Sequence, residues 1–168
     1  MTDAKQQLKA ALEAWASIQP ARPGWRYGSA PSIVLDLGVW CAPAPYPGDL
    51  HRWRGPDQAC YSNAARLAAA VPSLRYIEGF AAPDLGDEQV LALEHAWCID
   101  RHENVVDPTW HDRVGLAYVG IPLTLAHREH VLRSRPANLK AEAVLNMYSS
   151  PDLLVEGLPV HAIAQHSE

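Results

Sequence analysis

Two short runs, Glu94-His95-Ala96-Trp97-Cys98-Ile99-Asp100 and Asn104-Val105-Val106-Asp107, flank a polar turn of Arg101, His102, Glu103 and Asn104. Strand-forming residues on both sides of so short a turn leave the chain little choice but a β-hairpin. Pro108 ends the second run, since it has no N–H for a sheet ladder and holds its predecessor extended. Alternation puts His95, Trp97 and Ile99 on one face and Ala96, Cys98 and Asp100 on the other. A turn closed between Arg101 and Asn104 sets His95 roughly opposite Trp110, and Asp107 opposite Cys98. Bringing Asp107 to His95 then takes a bulge, a longer connection or a diagonal contact.

What surrounds the hairpin must fit one domain. The chain has 168 residues, 48% of them hydrophobic, enough to bury a core of its own. Its formal charge of -5 argues against nucleic acid or an anionic membrane as partner. No apolar run approaches the roughly 20 residues that span a bilayer, and the start, Met1-Thr2-Asp3-Ala4-Lys5, lacks a leader's apolar centre. Cys41, Cys60 and Cys98 form neither a disulfide framework nor a Cys-x-x-Cys pair, which fits a reducing, cytoplasmic setting. Composition leaves the oligomeric state open.

Taken in order, residues 1–19 hold an amphipathic helix, with Leu8, Ala11, Leu12, Trp15 and Ile18 on one stripe and Pro20 as its stop. Residues 20–57 carry seven of the 14 prolines and Trp25, Trp40 and Trp53, so most of this region is loop; Ser32 to Trp40 is expected to be a strand within it. Residues 58–121 form the core: a helix over 58–71, strands at 74–81, 89–100 and 104–107, and another at 115–121. From 122 to 168 the chain turns helical, over Leu123 to Ser134 and Ala137 to Tyr148, and ends in a tail whose Leu153-Leu154-Val155 is expected to pack loosely.

Cys60 falls in the first turn of the Ala-rich helix, in Gln58-Ala59-Cys60-Tyr61. A helix start favours negative charge and hence the thiolate form of a cysteine. A nucleophile on a helix start, then a histidine and an aspartate on strands, supplies the three groups that acyl-thioenzyme chemistry needs. His95-Ala96-Trp97 followed by Asp107-Pro108-Thr109, with Leu74 to Phe80 leading in, resembles the hallmark block of the transglutaminase-like superfamily of papain-type cysteine enzymes. The resemblance covers about residues 55 to 110, a third of the chain.

That resemblance implies an α+β fold with a papain-like core: a nucleophile helix packed on an antiparallel sheet, with peripheral helices. It implies Cys60, His95 and Asp107 as catalytic residues and no cofactor or metal. The expected activity is hydrolysis of an amide or isopeptide bond in a peptide, protein or small amide, with acyl transfer to an amine as the alternative. Arg54 stands where the papain branch has a glutamine oxyanion donor, so only the Cys60 N–H is assigned to that role. Trp40, Tyr46 and Trp53, with Gln58, Tyr61 and Trp97 beside the proposed nucleophile and base, are candidate substrate contacts. From other classes come a non-catalytic binding module on the same fold and a zinc site drawing on His95, Asp107, His111 and Cys98 or Cys60, with His127 and His130 as further ligands. Cys41 and Cys98 have apolar flanks and are expected to be structural.

Overall fold

The hairpin is the edge of a five-stranded antiparallel sheet. The computed structural model describes residues 4–86, 90–111, 114–136, 138–139, 141–146 and 151–165. Its strands are β1 (Val39–Cys41), β2 (Arg75–Ala82), β3 (Leu93–Ile99), β4 (Val105–Val106) and β5 (Ala117–Leu123), in the spatial order β1-β5-β2-β3-β4. With the helices below, this is the expected mixed α+β class.

The β3–β4 register is one residue off the expected one. Asp100 Oδ1 accepts from the N–H of His102 and of Asn104, Glu103 sits at a φ of 62°, and Asp100 N–H donates to Asn104 O at 3.1 Å. The turn therefore closes on Asp100 and Asn104, and Cys98 pairs with Val106. That register carries Asp107 to a position across from Trp97, one diagonal step from His95.

The two sheet faces bury different cores. Tyr76, Phe80, Ala96, Cys98, Val119 and Ile121 pack against helices α1 (Ala4–Ile18), α2 (Ala30–Leu37) and α3 (Cys60–Ala70) through Leu8, Leu12, Ile33, Val34, Ala64 and Leu67. On the other face Ile77, Trp97, Ile99, Val105, Tyr118 and Cys41 form a smaller cluster. Helix α3 is rich in alanine where it meets β3, and the approach is close enough for Cys98 Sγ to donate to Ala64 O at 3.2 Å.

Three expectations are corrected. Ser32 to Trp40 is not one strand: Ser29 and Ser32 cap each other's backbone, Pro31 occupies a first-turn position that needs no N–H, and α2 runs to Leu37 before the chain turns at Gly38 into β1. The expected helix from Ala137 to Tyr148 falls partly outside the described residues, and 138–139 and 141–146 within it are not helical. After α4 (Leu125–Ser134) the segment is held instead by side chains: Arg135 donates to Ala141 O and Ala143 O, and Glu78 accepts from Val144 N–H and Leu145 N–H, each at 2.9 Å. Leu153 and Leu154 do not pack loosely. They are buried in α5 (Asp152–Val155), and Tyr27 N–H donates to Leu154 O at 2.9 Å.

Glu78 is the costly member of this arrangement. Burial pushes its carboxyl up, and the N–H groups of Val144 and Leu145 with the Tyr76 hydroxyl, at 2.7 Å, pull it back in part. A carboxylate in the middle of a sheet persists only when its oxygens are filled in this way. Among the described residues, no helix is long and apolar enough to cross a membrane.

Candidate functional site

Helix α3 begins at Cys60 without a side-chain cap, so the N–H groups of its first turn are free of partners from that source. The chain reaches it through Gln58, held at a φ of 65°. A side chain in this left-handed region costs on the order of 1 kcal/mol. The turn it makes drops Cys60 into the first turn, against the sheet.

This approach loop is tied to the segment after β4. Gly55 N–H donates to Pro108 O and His111 Nε2 donates to Gly55 O, at 2.9 and 2.7 Å. Asn63 Nδ2 reaches Pro56 O and Thr109 Oγ1 at 2.9 and 3.1 Å. Residue 55 has to be glycine here, since a Cβ would lie 1.8 Å from Asn63 Oδ1. Cys60 and Asp107 are thereby fixed to one frame although 47 positions separate them in the chain.

His95 completes the set by the diagonal contact that the register demands. Its Nε2 lies 2.7 Å from Asp107 Oδ2, and both side chains are buried. Asp107 Oδ2 also accepts from the Tyr118 hydroxyl at 3.3 Å, while Oδ1 accepts from Thr109 N–H and Trp110 N–H at 2.9 and 3.2 Å. Trp110 lies flat on the imidazole, with centroids 4.2 Å apart and planes 14° from parallel. With Nε2 taken, Nδ1 is the ring nitrogen left open, and Cys60 is near enough to help raise the imidazole.

Burial alone would push the imidazole down. The Asp107 hydrogen bond, the Cys60 thiol and the charges of both together overcome this and raise His95 from 6.5 to about 9. For Asp107, burial raises the carboxyl, but the His95 hydrogen bond and charge and the two backbone N–H groups hold it below its ordinary 3.8. A raised histidine stabilises the fold fully below its unfolded value and loses that contribution as pH climbs through the folded one; a lowered aspartate loses its share only as pH falls below 3.8. Thermal stability should therefore decline by a few kcal/mol at most between pH 6.5 and 9. His95→Gln should flatten that slope in melts across the range; an equal slope in both proteins would place its source elsewhere.

Cys60 and His95 open on a cleft of about 1070 Å³, lined also by Gln58, Tyr61, Glu94 and Trp110. Of the other candidate contacts, none of Trp40, Tyr46, Trp53 and Trp97 lines it. Trp97 is fully buried in the smaller core, under the packing of Ile77, Val105 and Tyr118. Trp40 and Trp53 pack at the edge of the larger core, under Lys5 and Arg52 respectively. Tyr46 borders a separate 280 Å³ pocket behind Trp110, with Arg54 4.3 Å over its ring.

The zinc alternative finds two of its residues otherwise engaged, Cys98 bonded to Ala64 O and His111 to Gly55 O, while His127, whose ring nitrogens have no hydrogen-bond partner, packs edge-on to His161. Among the described residues no group of three or more His, Cys, Asp or Glu side chains is placed to hold a metal ion. Asn63, Thr109, Trp110 and Tyr118 were missed as site residues. Only Trp110 and Thr109 carried a signal, standing next to Asp107-Pro108. Compared with protein-family models, with curated proteins and with solved structures, the chain matches none.

Proposed function

We propose that this protein is a cysteine hydrolase of amide or isopeptide bonds, built on a transglutaminase-like, papain-type core. The observation that carries the reading is the meeting in one cleft of a cysteine at an uncapped helix start with a histidine whose far nitrogen is held by a buried aspartate.

In this reading the Cys60 sulfur attacks the carbonyl carbon while His95 holds the thiol's proton on Nδ1. The tetrahedral oxyanion rests on N–H groups of the first turn of α3, including that of Cys60. The C–N bond then breaks, and the amine leaves with the proton from Nδ1. A water molecule attacks the thioester, giving its proton to Nδ1, and the C–S bond breaks to release the acid and the thiolate. Asp107 keeps Nε2 as the donor throughout, and Trp110 keeps water off the His95–Asp107 bond.

Two measurements test it. Wild type and Cys60→Ala are assayed against peptide amides, an isopeptide and small aryl amides, with loss of about a thousandfold or more expected in the variant. Iodoacetamide labelling of Cys60, read by peptide mass spectrometry, is compared in wild type and His95→Ala at pH 7. Equal turnover with and without the thiol, or labelling indifferent to His95, overturns the proposal.

A further inference from the structure

The cleft carries charge and apolar surface that the bond-breaking chemistry does not use. Among its described lining residues are the carboxylates Asp57 and Glu94, and no lysine or arginine. Asp57 lies on the approach loop before Cys60, and Glu94 is the neighbour of His95 in β3. The described arginines nearby are turned away, which leaves as cation the His95 ring, raised to about 9 and already paired with Asp107. Arg54 borders the smaller pocket, donating to Trp110 O at 3.3 Å, and Arg66 is spent on the carbonyls of Trp53 and Arg54.

The cleft also has an apolar wall. Pro83, Leu85 and Leu93 line the cleft, and Leu85 and Leu93 are 46% and 38% exposed. Nearby, Leu116 is bonded through its N–H to Ala82 O and is 42% exposed. Leucines exposed inside a concave site leave water only when something fills it. Low-dielectric walls also concentrate the field of the carboxylates in the cleft. Burial raises the Glu94 carboxyl although much of its surface is open, so a bound cation would relieve a cost already present.

We infer that Asp57 and Glu94 select a cationic substrate, an amide or isopeptide carrying a positive group beside a bulky apolar one, and that they reject phosphate-bearing acyl donors such as nucleotide thioesters. The inference deepens the hydrolase reading and rests on it for the reaction, but the field at Cys60 can be measured whether or not the thiol turns a substrate over.

The test uses two methanethiosulfonates of similar size, one ending in trimethylammonium and one in sulfonate. Each forms a mixed disulfide with the Cys60 sulfur as methanesulfinate leaves. Rates at Cys60 are read by mass spectrometry and divided by those for N-acetylcysteine. The corrected cation-to-anion ratio should be about tenfold or more at low salt. It should fall several-fold in Glu94→Gln and in Asp57→Asn, approach unity in the double variant, and shrink in high salt. In parallel, N-acetyl-leucyl-lysine amide should protect Cys60 from iodoacetamide at several-fold lower concentration than N-acetyl-leucyl-glutamate amide. A corrected ratio at or below unity, a ratio untouched by the double variant, or equal protection by the two amides overturns the inference. An inactive wild type in the amide panel, with the charge preference present, would instead count against the hydrolase reading alone.

Discussion

Asp107→Asn should leave the fold standing and reduce Cys60-dependent turnover by about 10³- to 10⁴-fold. The reason lies in how the four bonds to the carboxylate are divided. Oδ1 accepts two backbone N–H groups, from Thr109 and Trp110, and neither donor can reverse its role. An asparagine must keep its oxygen there, which turns its NH₂ toward His95 Nε2 and the Tyr118 hydroxyl. Nε2 then has to accept, so the ring proton moves to Nδ1 and faces the Cys60 sulfur. The imidazole is left with nothing to take the thiol's proton. Melting curves should show a modest loss of stability, and ¹⁵N shifts of the His95 ring should report the exchanged tautomer. A variant with the wild-type tautomer and near wild-type turnover would refute this account of Asp107.

The largest effect on stability is expected at Glu78. Glu78→Ala strands the Tyr76 hydroxyl and the N–H groups of Val144 and Leu145, all buried, and should cost about 3 kcal/mol or more in urea unfolding. Glu78→Gln keeps an acceptor for two of the three donors but sets its own NH₂ against the third, for roughly half that loss. The damage should be local before it is global. Amide exchange at Val144 and Leu145 should accelerate in both variants while that of β2 and β5 holds up until global unfolding. Unchanged protection at those two amides would mean that the packing of Val144, and not Glu78, fixes the segment.

Legibility from the sequence followed the range of the interactions involved. The β3–β4 hairpin, α1 and α3 were readable because periodicity, a polar turn and proline stops act within a few residues. Ser32 to Trp40 was misread although its capping pair, Ser29 and Ser32, is just as local: its apolar residues do not alternate, and they are buried by α1 and β5 as one helical face. The helix expected after Pro136 failed for the opposite reason, since Glu78 captures that backbone from 66 positions away. At the site, the order of Cys60, His95 and Asp107 along the chain could be read, and so could the need for a diagonal contact between the last two. Trp97 was taken for a substrate contact; alternation puts it on one face with both His95 and Ile99, and it is the packing of Ile77, Val105 and Tyr118 that buries it. Tyr118 had no local signature; its hydroxyl reaches Asp107 only because β5 folds back beside β2.

The bonds that lock the Gly55 loop to Pro108 and His111 have a consequence for the newborn chain. They join segments separated by some fifty residues, and a chain leaving the ribosome grows by about 5–20 residues each second. Cys60 therefore emerges seconds before His95, and before the Asp107 and Tyr118 that hold that histidine. Through that interval it is a cysteine without a partner, among the nascent chains and chaperones that surround synthesis. In the proposed hydrolase, attack on the amides of neighbouring polypeptides has to wait for closure of this last long loop and the final shape of the molecule.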